Sequence, residues 1–262
     1  MSAFLGVKML NGYDNVVLIL ACLISSFTFL FLLNRIWIPA KRRAHNDVIG
    51  WQISVIGTIY AVMIGFMLYA VWGNFQVADS NADLEASALV NVYRTAEGLP
   101  EPQRDAVQQW ARMYARDMVT AEWPAMSRGH WSREGHQVID HLWSVVISTQ
   151  VNNASQQTSL DHTIFELGDL TLHRRQRRLE NDSSLPAILW AVLISGGIIT
   201  IVAASLIGSE NIVLHFVLVL SLALLISLIL SAIADIDMPF RGSVHVSSYA
   251  FAQAQNTMSG ND

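Results

Sequence analysis

The chain has 262 residues, of which 16 are basic and 21 acidic, and a mean hydropathy of +0.37. Charged residues are absent from four stretches, of 18, 22, 22 and 23 residues, at 16–33, 51–72, 186–207 and 212–234. About 20 apolar residues are needed for a helix to cross the hydrocarbon core of a bilayer. This segregation of charge excludes a soluble enzyme, a nucleic-acid-binding protein, a secreted disulfide scaffold and a β-barrel.

The order of apolar and polar stretches predicts an all-α protein with four membrane spans and a helical extramembrane domain. The predicted divisions are 1–72 for spans one and two, 73–185 for the polar domain, 186–234 for spans three and four, and 235–262 for a polar tail. The one cysteine, Cys22, lies within the first span, so no intramolecular disulfide can form.

The polar region has few prolines and an apolar period typical of helices. One helix is predicted over 48–97, because span two continues through Asp79 and Asp83 without a stop signal until Gly98. Three more helices are expected. The second starts near 102 and ends before 124, the third follows a cap at 132, and the fourth covers 155–179. A connection of four residues, 208–211, makes spans three and four an antiparallel pair.

Basic residues near the spans set the expected orientation. Four lie between spans one and two: Arg35, Lys41, Arg42 and Arg43. Six lie on the other side: Lys8, Arg174, Arg175, Arg177, Arg178 and Arg241. The count favours an integral membrane protein with a cytoplasmic polar domain.

The sequence provides little support for catalysis. None of the eight histidines pairs with another at the i, i+4 spacing of a helical metal site, and no nucleophile elbow or phosphate-binding glycine loop is present. We therefore predict no catalytic residues, no metal, no cofactor and no nucleic-acid partner. A membrane-embedded enzyme stays as a minor hypothesis, and it would require Glu122 or His215 to titrate abnormally in a cavity.

Span two has two distinct helical faces. One face carries small residues at four-residue spacing, Gly57, Ala61 and Gly65, which favours close helix packing. The opposite face carries larger apolar residues: Ile59, Met63, Phe66 and Ala70. That face either meets lipid or lines a narrow apolar pore formed by several copies of the helix.

Charge outside the spans also allows two interpretations. The basic run 173–178 precedes span three and suits a topology signal or a lipid-headgroup anchor, or else a ring of guanidinium groups near an ion pathway. Residues 73–185 contain 15 acidic and 10 basic residues, so a vestibule built from them would concentrate cations.

Taken in order, several short motifs resemble the bestrophin-like family of bacterial and plant membrane proteins, distant relatives of bestrophin channels. The first is Ile64-Gly65-Phe66 in span two, and an Arg-x-x-Arg match lies within the run 174–178. The other residues that carry the resemblance are Glu85, Arg94, Glu122, Trp123, Arg174, Arg178, Asp237, Pro239, Phe240 and Gly242.

The resemblance implies a pentameric ion channel with a helical cytoplasmic domain, in which the second membrane helix lines the pore. Phe66 would then lie at an apolar neck, and Pro239-Phe240 would be the pair that follows the last membrane helix in bestrophins. The residues after that pair, 241–244, lack the acidic cluster that binds calcium in the animal channels, so a calcium clasp is not expected.

We therefore weigh two main hypotheses from the sequence. The first is a homo-oligomeric ion channel, whose partners are the lipid bilayer, further copies of itself and small inorganic ions. The second is a non-conducting membrane adaptor or sensor, whose helical domain binds a partner protein. The adaptor is favoured by the acidic surface and by the absence of a polar residue on the proposed pore face.

Overall fold

A computed structural model describes residues 12–132 and 134–260, and the side chains of residues 12–14 lie outside that description. Lys8, one of the residues in the orientation count, is also outside it. Throughout the described part, the regular elements are helical, which confirms the predicted all-α class.

Ten α-helices are described in chain order. They are α1 (Gly12–Ile36), α2 (Pro39–Arg42), α3 (Asn46–Thr95), α4 (Gln103–Asp117), α5 (Trp123–Ser127), α6 (Glu134–Ile147), α7 (Ala154–Asn181), α8 (Ala187–Ser205), α9 (Ile212–Ile236) and α10 (Tyr249–Ser259). Short 3₁₀ turns follow α2 and α3, and a π-helical turn, Met118–Glu122, joins α4 to α5. Four helices are long and apolar enough to cross a membrane: α1, α3, α8 and α9.

The chain divides into two units. The membrane unit comprises residues 1–73 and 184–237, and the polar unit comprises residues 74–183 and 238–262. Helix α3 runs through 50 residues and contributes to both. The core of the membrane unit is apolar and includes Leu30, Tyr60, Leu193 and Val219.

In the membrane unit, the segment between α1 and α3 packs on the connection between α8 and α9. Arg42 is fully buried and donates from Nη1 to the carbonyl of Ser205, at 2.7 Å, where α8 ends. Asn46 and Gly208 exchange two hydrogen bonds of 2.9 Å through the amide side chain and the backbone. A Cβ on Gly208 would lie only 2.5 Å from the carbonyl of Pro39, so this approach requires glycine.

The polar unit has its own core, formed by α3 after residue 74 together with α4, α6, α7 and α10. The predicted stop before Pro124 does not occur. Helix α5 begins at Trp123 and continues through Pro124, because proline in the first helical turn removes no intrahelical hydrogen bond. Ser132 accepts a hydrogen bond from the backbone N–H of Glu134 at the start of α6.

The residues after Asp237, predicted only as a polar tail, belong to the polar unit. Helix α10 buries Phe251, Ala254 and Met258. These three residues lie at intervals of three and four, so they form one apolar face on an otherwise polar helix.

Candidate functional site

The predicted pore-lining residues on α3 lie largely outside the membrane unit's core. Ile59 and Phe66 are 64% and 66% exposed, Ala70 is also exposed, and Met63 is half-buried. A Cβ on Gly196 of α8 would meet the terminal methyl of Met63 at 3.3 Å, so Met63 borders α8. Within a single chain, the face that carries Phe66 is therefore unpartnered.

A tyrosine sets the rotation of α3 about its axis. Tyr60 is buried and donates a hydrogen bond from its hydroxyl to the carbonyl of Leu193 in α8, at 3.0 Å. A Cβ on Gly196 or Gly197 would lie 2.7 or 2.8 Å from Tyr60 atoms. These two glycines make room for the Tyr60 ring, and so the adjacent face of α3 turns outward.

The predicted helix-packing residues do not pack against other helices of the same chain. No described atom lies within 4 Å of a Cβ built on Gly57 or Gly65, and Ala61 is exposed. The close helix contact in this unit is made by Gly196 and Gly197 instead. Packing through Gly57, Ala61 and Gly65 against a second copy stays a prediction.

The polar unit contains a buried charge cluster, defined here as Glu85, Tyr114, Glu122, Arg174 and Arg177. Helices α3, α4 and α7 and the π-helical turn supply these side chains. All five are buried, and four of them have no measurable exposure. Two carboxylates face two guanidinium groups, so the cluster is neutral overall when all four groups are ionised.

Arg177 is the central donor of the cluster. Its Nε and Nη2 lie 2.6 and 3.0 Å from the two carboxylate oxygens of Glu85. Nη2 also donates to Glu122, at 2.9 Å. Its guanidinium lies 4.9 Å from the ring centre of Trp123, a cation–π distance. Burial opposes ionisation of Arg177, but the two carboxylates outweigh it and raise the pKa of Arg177 above its ordinary value.

The second arginine and the tyrosine complete the network. Arg174 donates from Nη2 to Glu122 at 2.9 Å and from Nη1 to the Tyr114 hydroxyl at 2.8 Å. The hydroxyl in turn donates to Glu85 at 2.5 Å. Burial, followed by the nearby charge of Glu85, raises the pKa of Tyr114 well above its usual value, so the phenol remains a donor.

Two backbone features admit the cluster. The π-helical turn Met118–Glu122 adds a residue to one helical turn and leaves the Glu122 side chain buried. Gly135 of α6 approaches from the other side. A Cβ there would lie 2.5 Å from Oε2 of Glu122 and 2.9 Å from Nη1 of Arg174.

The segment after α9 divides between the two units. In the membrane unit, Asp237 accepts hydrogen bonds from the backbone N–H of Leu185, at 2.8 Å, and from the indole N–H of Trp190, at 3.3 Å. The carboxylate thus joins the end of α9 to the residues that lead into α8.

In the polar unit, the next residues of this segment form a turn. Phe240 is buried, and its ring meets Trp123 edge-on at 5.9 Å. Trp123 donates to the carbonyl of Val246 at 2.9 Å, and the Val246 N–H donates to the carbonyl of Pro239 at 2.8 Å. Gly242 has a φ of 82°, which favours glycine at this position of the turn.

The remaining predicted site residues lie elsewhere. Arg94 is exposed, at the edge of a groove between α3 and α10. Arg178 is also exposed, and its guanidinium lies 5.2 Å from the ring centre of Trp131. His215 is buried in the membrane unit, with Nε2 3.2 Å from the carbonyl of Ala204. Within the described ranges, no group of three His, Cys, Asp or Glu side chains is placed to hold a metal ion.

This architecture matches a known protein family. The model of the bestrophin-like domain matches residues 16–251. The chain belongs to the bestrophin-like family. Its members are typically channels rather than enzymes. Comparison with curated proteins finds no match.

Solved structures show the same bestrophin-like fold. A leucine-to-threonine variant of a bacterial bestrophin homologue from Klebsiella pneumoniae aligns with a TM-score of 0.61 and 12% identity, covering 94% of this chain and 99% of that one. A tyrosine-to-alanine variant of that homologue aligns with a TM-score of 0.58 and 13% identity, covering 95% of this chain and 97% of that one. A proline-to-alanine variant of a protein described only as a membrane protein aligns with a TM-score of 0.58 and 13% identity. The alignment covers 91% of this chain and 98% of that one.

Two central residues of the cluster were not singled out from the sequence. The motif residues Glu85, Glu122 and Arg174 do meet, but the partner of Glu85 is Arg177, which was considered as an orientation charge and as part of the basic run 173–178 but not as a site residue. The spacing gave no signal that distinguishes Arg177 from Arg178, because the residues three and four positions after Arg174 are both its neighbours on a helix. Tyr114 lies among the buried residues of α4 and was not predicted as a site residue.

Proposed function

We propose that this bestrophin-like protein is a homo-pentameric ion channel of the bacterial inner membrane. In this proposal α3 of each copy lines a central pore, and Ile59, Met63, Phe66 and Ala70 form its apolar neck. The polar unit, residues 74–183 and 238–262, surrounds a cytoplasmic vestibule. The family match supports a channel, and the unpartnered face of α3 supports its place at the axis.

The observation that carries the proposal is the pattern of exposed apolar residues on α3. Exposed Phe66 alone is ambiguous, because lipid also covers apolar side chains. Beyond the apolar stretch, however, Val77 and Leu84 are still 55% and 46% exposed. Ala70, Val77 and Leu84 recur every seven residues, the spacing at which helices pack around an axis. Leu84 lies 12 residues beyond the end of the apolar stretch, about 18 Å further along the helix, so the occupants we propose for this face are neighbouring copies of α3.

An apolar neck fits a gate that works by excluding water. A narrow ring of Phe66 side chains offers no hydrogen bonds to water, so a dry constriction opposes ion passage until it widens. The vestibule would carry a surplus of acidic residues, 15 against 10 within residues 73–185. A negative vestibule raises the local concentration of cations, which favours cation over chloride conduction.

The experiment is ion flux in proteoliposomes and planar-bilayer recording, with the wild type compared with Phe66→Ala. Removing the ring should widen and wet the neck, so we expect the conductance to rise several-fold. Tyr69→Ala is the matched control. Tyr69 is an exposed aromatic residue of the same span, but it lies about 90° from the centre of the proposed pore face at 100° per residue.

Mass measurement accompanies the recordings. Five chains of 29.1 kDa have a total mass of 145.5 kDa. This is the mass expected for the protein once the contribution of bound detergent has been subtracted. A pentamer with no current above empty liposomes, in either the wild type or Phe66→Ala, would contradict conduction and favour a non-conducting adaptor. A stable monomer or dimer would leave no axial pore and would overturn the proposal directly.

A further inference from the structure

A second candidate site lies on the polar unit, away from α3. It is a pocket of about 490 Å³ bordered by α6, by α7 with the residue that follows it, and by Trp131, which lies three residues before the start of α6. We call it the Trp–Arg pocket. Its chemically distinctive lining residues are Trp131, Trp143, Arg175, Arg178, Asp140 and Asp182. None of these six residues belongs to the proposed pore or to the five residues of the buried charge cluster, although the guanidinium of Arg177 lies 5.9 Å from the ring centre of Trp131.

The pocket presents two arginines without carboxylate partners. Arg175 and Arg178 are exposed, and neither forms an ion pair with a carboxylate in the described part of the chain. Arg174 also borders the pocket, but Glu122 already neutralises it. Its Nε is buried and has no hydrogen-bond partner within the described residues. The guanidinium of Arg178 lies 5.2 Å from the ring centre of Trp131, a cation–π distance.

Two carboxylates border the same pocket and lack an arginine or lysine partner in the described ranges. Asp140 lies 3.7 Å from Nε2 of His136, which is charged only when protonated. Asp182 accepts a hydrogen bond from the neutral side chain of Asn181, at 3.2 Å. The pocket therefore offers two positive and two negative groups, none of them neutralised by a fully charged partner. A simple anion would meet repulsion from the aspartates, and a simple cation would meet repulsion from the arginines.

The aromatic walls favour an ammonium group beside a phosphate. Trp143 donates from its indole N–H to the hydroxyl of Thr171, at 3.1 Å, which fixes the ring. A tryptophan face attracts an ammonium ion, and paired guanidinium groups match the geometry of phosphate oxygens. Both kinds of group line one pocket.

The pocket also lies close to a membrane helix along the chain. Helix α7 ends at Asn181 and α8 begins at Ala187. Asp182, which lines the pocket, is therefore five residues before the start of α8 in the chain. Leu179, which also lines the pocket, is 66% exposed and could contact an acyl chain.

We propose that the Trp–Arg pocket binds a phosphate–ammonium zwitterion of the phosphoethanolamine class. Arg175 and Arg178 take the phosphate, and Asp140 and Asp182 take the ammonium beside the tryptophan rings. The source is either the headgroup of a phosphatidylethanolamine or a soluble phosphoethanolamine ester. The proposal does not depend on conduction, because it requires neither a pore nor a particular subunit number.

Calorimetric titration of the full-length protein in detergent tests the assignment. The probes are glycerophosphoethanolamine and glycerophosphoglycerol, which share the phosphate but differ in the ammonium. We expect glycerophosphoethanolamine to bind at least tenfold more tightly. Equal binding of the two esters, or binding of neither ester nor lipid, overturns the proposal.

A lipid arm distinguishes the two sources. Dioleoyl phosphatidylethanolamine and dioleoyl phosphatidylglycerol are added in mixed micelles, and bound lipid is counted by native mass spectrometry. Retention of phosphatidylethanolamine at a concentration tenfold below that needed for the soluble ester identifies a membrane headgroup. Equal affinities for lipid and soluble ester identify a soluble ligand. Preference for phosphatidylglycerol contradicts the zwitterion.

Three single variants link binding to this pocket. Arg178→Gln and Asp182→Asn each remove one charge of the zwitterion site, and each should weaken glycerophosphoethanolamine binding at least tenfold. Arg116→Gln, at an exposed position on α4, should leave the affinity unchanged. All three positions are at the surface, so elution volume and circular dichroism should match the wild type. If Arg178→Gln weakens the binding of glycerophosphoethanolamine but Asp182→Asn does not, the pocket is a plain anion site and the proposal is overturned.

Discussion

Arg177 donates hydrogen bonds to both carboxylate oxygens of Glu85, and neither side chain is exposed to solvent. Two-point donation between planar groups fixes direction as well as distance. It therefore fixes how α7 lies against the part of α3 within the polar unit. Because burying ions costs desolvation energy, the main consequence of this pair is a defined geometry rather than a large net stabilisation.

Breaking this pair should be costly. Glu85→Ala leaves Arg177 buried with one remaining carboxylate, Glu122, and we expect a loss of about 3–5 kcal/mol. This corresponds to a fall in unfolding temperature on the order of 10 °C for a unit of this size. Thermal unfolding of the detergent-solubilised protein measures it. Glu97→Ala, at an exposed position, is the control, and equal unfolding temperatures for the two variants would contradict the prediction.

Gly135→Ala should disturb the cluster without removing any of its charges. The added methyl group would lie 2.5 Å from Glu122 and 2.9 Å from Arg174, so the network has to shift. We expect a destabilisation of about 1–3 kcal/mol, typical of overpacking. Gly168→Ala is the matched control, because nothing lies within 4 Å of its Cβ.

The Gly168→Ala control should increase the free energy of unfolding by about 0.5–1 kcal/mol, because alanine is favoured over glycine inside a helix. The two glycine variants should therefore shift the unfolding temperature in opposite directions. A stabilised Gly135→Ala variant would show that α6 can move away from Glu122 at little cost.

The small-residue face of α3 gives a prediction about assembly. Gly65→Leu adds a side chain where the single chain has open space, so the fold of one copy should persist. If neighbouring copies approach closely here, the oligomer should dissociate to smaller species. Light scattering corrected for detergent measures the mass. Val62→Leu, at an exposed position outside both predicted faces, should retain the wild-type mass.

Trp123→Phe tests the turn that follows α9. The variant keeps an aromatic ring against Phe240 but loses the hydrogen bond to the carbonyl of Val246. A buried carbonyl without a partner should reduce the free energy of unfolding by about 1–3 kcal/mol. Urea titration followed by circular dichroism detects the change. Trp51→Phe, at an exposed position, should leave the midpoint unchanged.

The helical class was predictable, because the charge-free stretches and the helical period depend only on local sequence. The cluster was predictable in part. Glu85, Glu122 and Arg174 were singled out, but the choice of Arg177 over Arg178 follows from which face of α7 is buried. That face is set by tertiary packing, and five neighbouring residues with four arginines give no local signal for it.

The outward face of α3 was less predictable. Spacing separated Gly57 and Gly65 from Phe66, but it could not show which face packs on α8. Tyr60, with a hydroxyl that reaches Leu193, decides this. The signal lay in another helix, in the adjacent pair Gly196 and Gly197, which makes room for the ring.

The buried guanidinium of Arg42 has a consequence for biogenesis. In the nascent chain this arginine is one of four cations that can hold the loop between the first two spans on one side of the membrane. In the finished fold the side chain is withdrawn from solvent and donates a hydrogen bond to the carbonyl of Ser205, the last residue of α8. We therefore expect one side chain to act twice, first with the other cations of the loop in directing insertion and later in locking α8, the third span, which begins more than 140 residues downstream. A neutral substitution at Arg42 would disturb both steps, at different moments in the life of the chain.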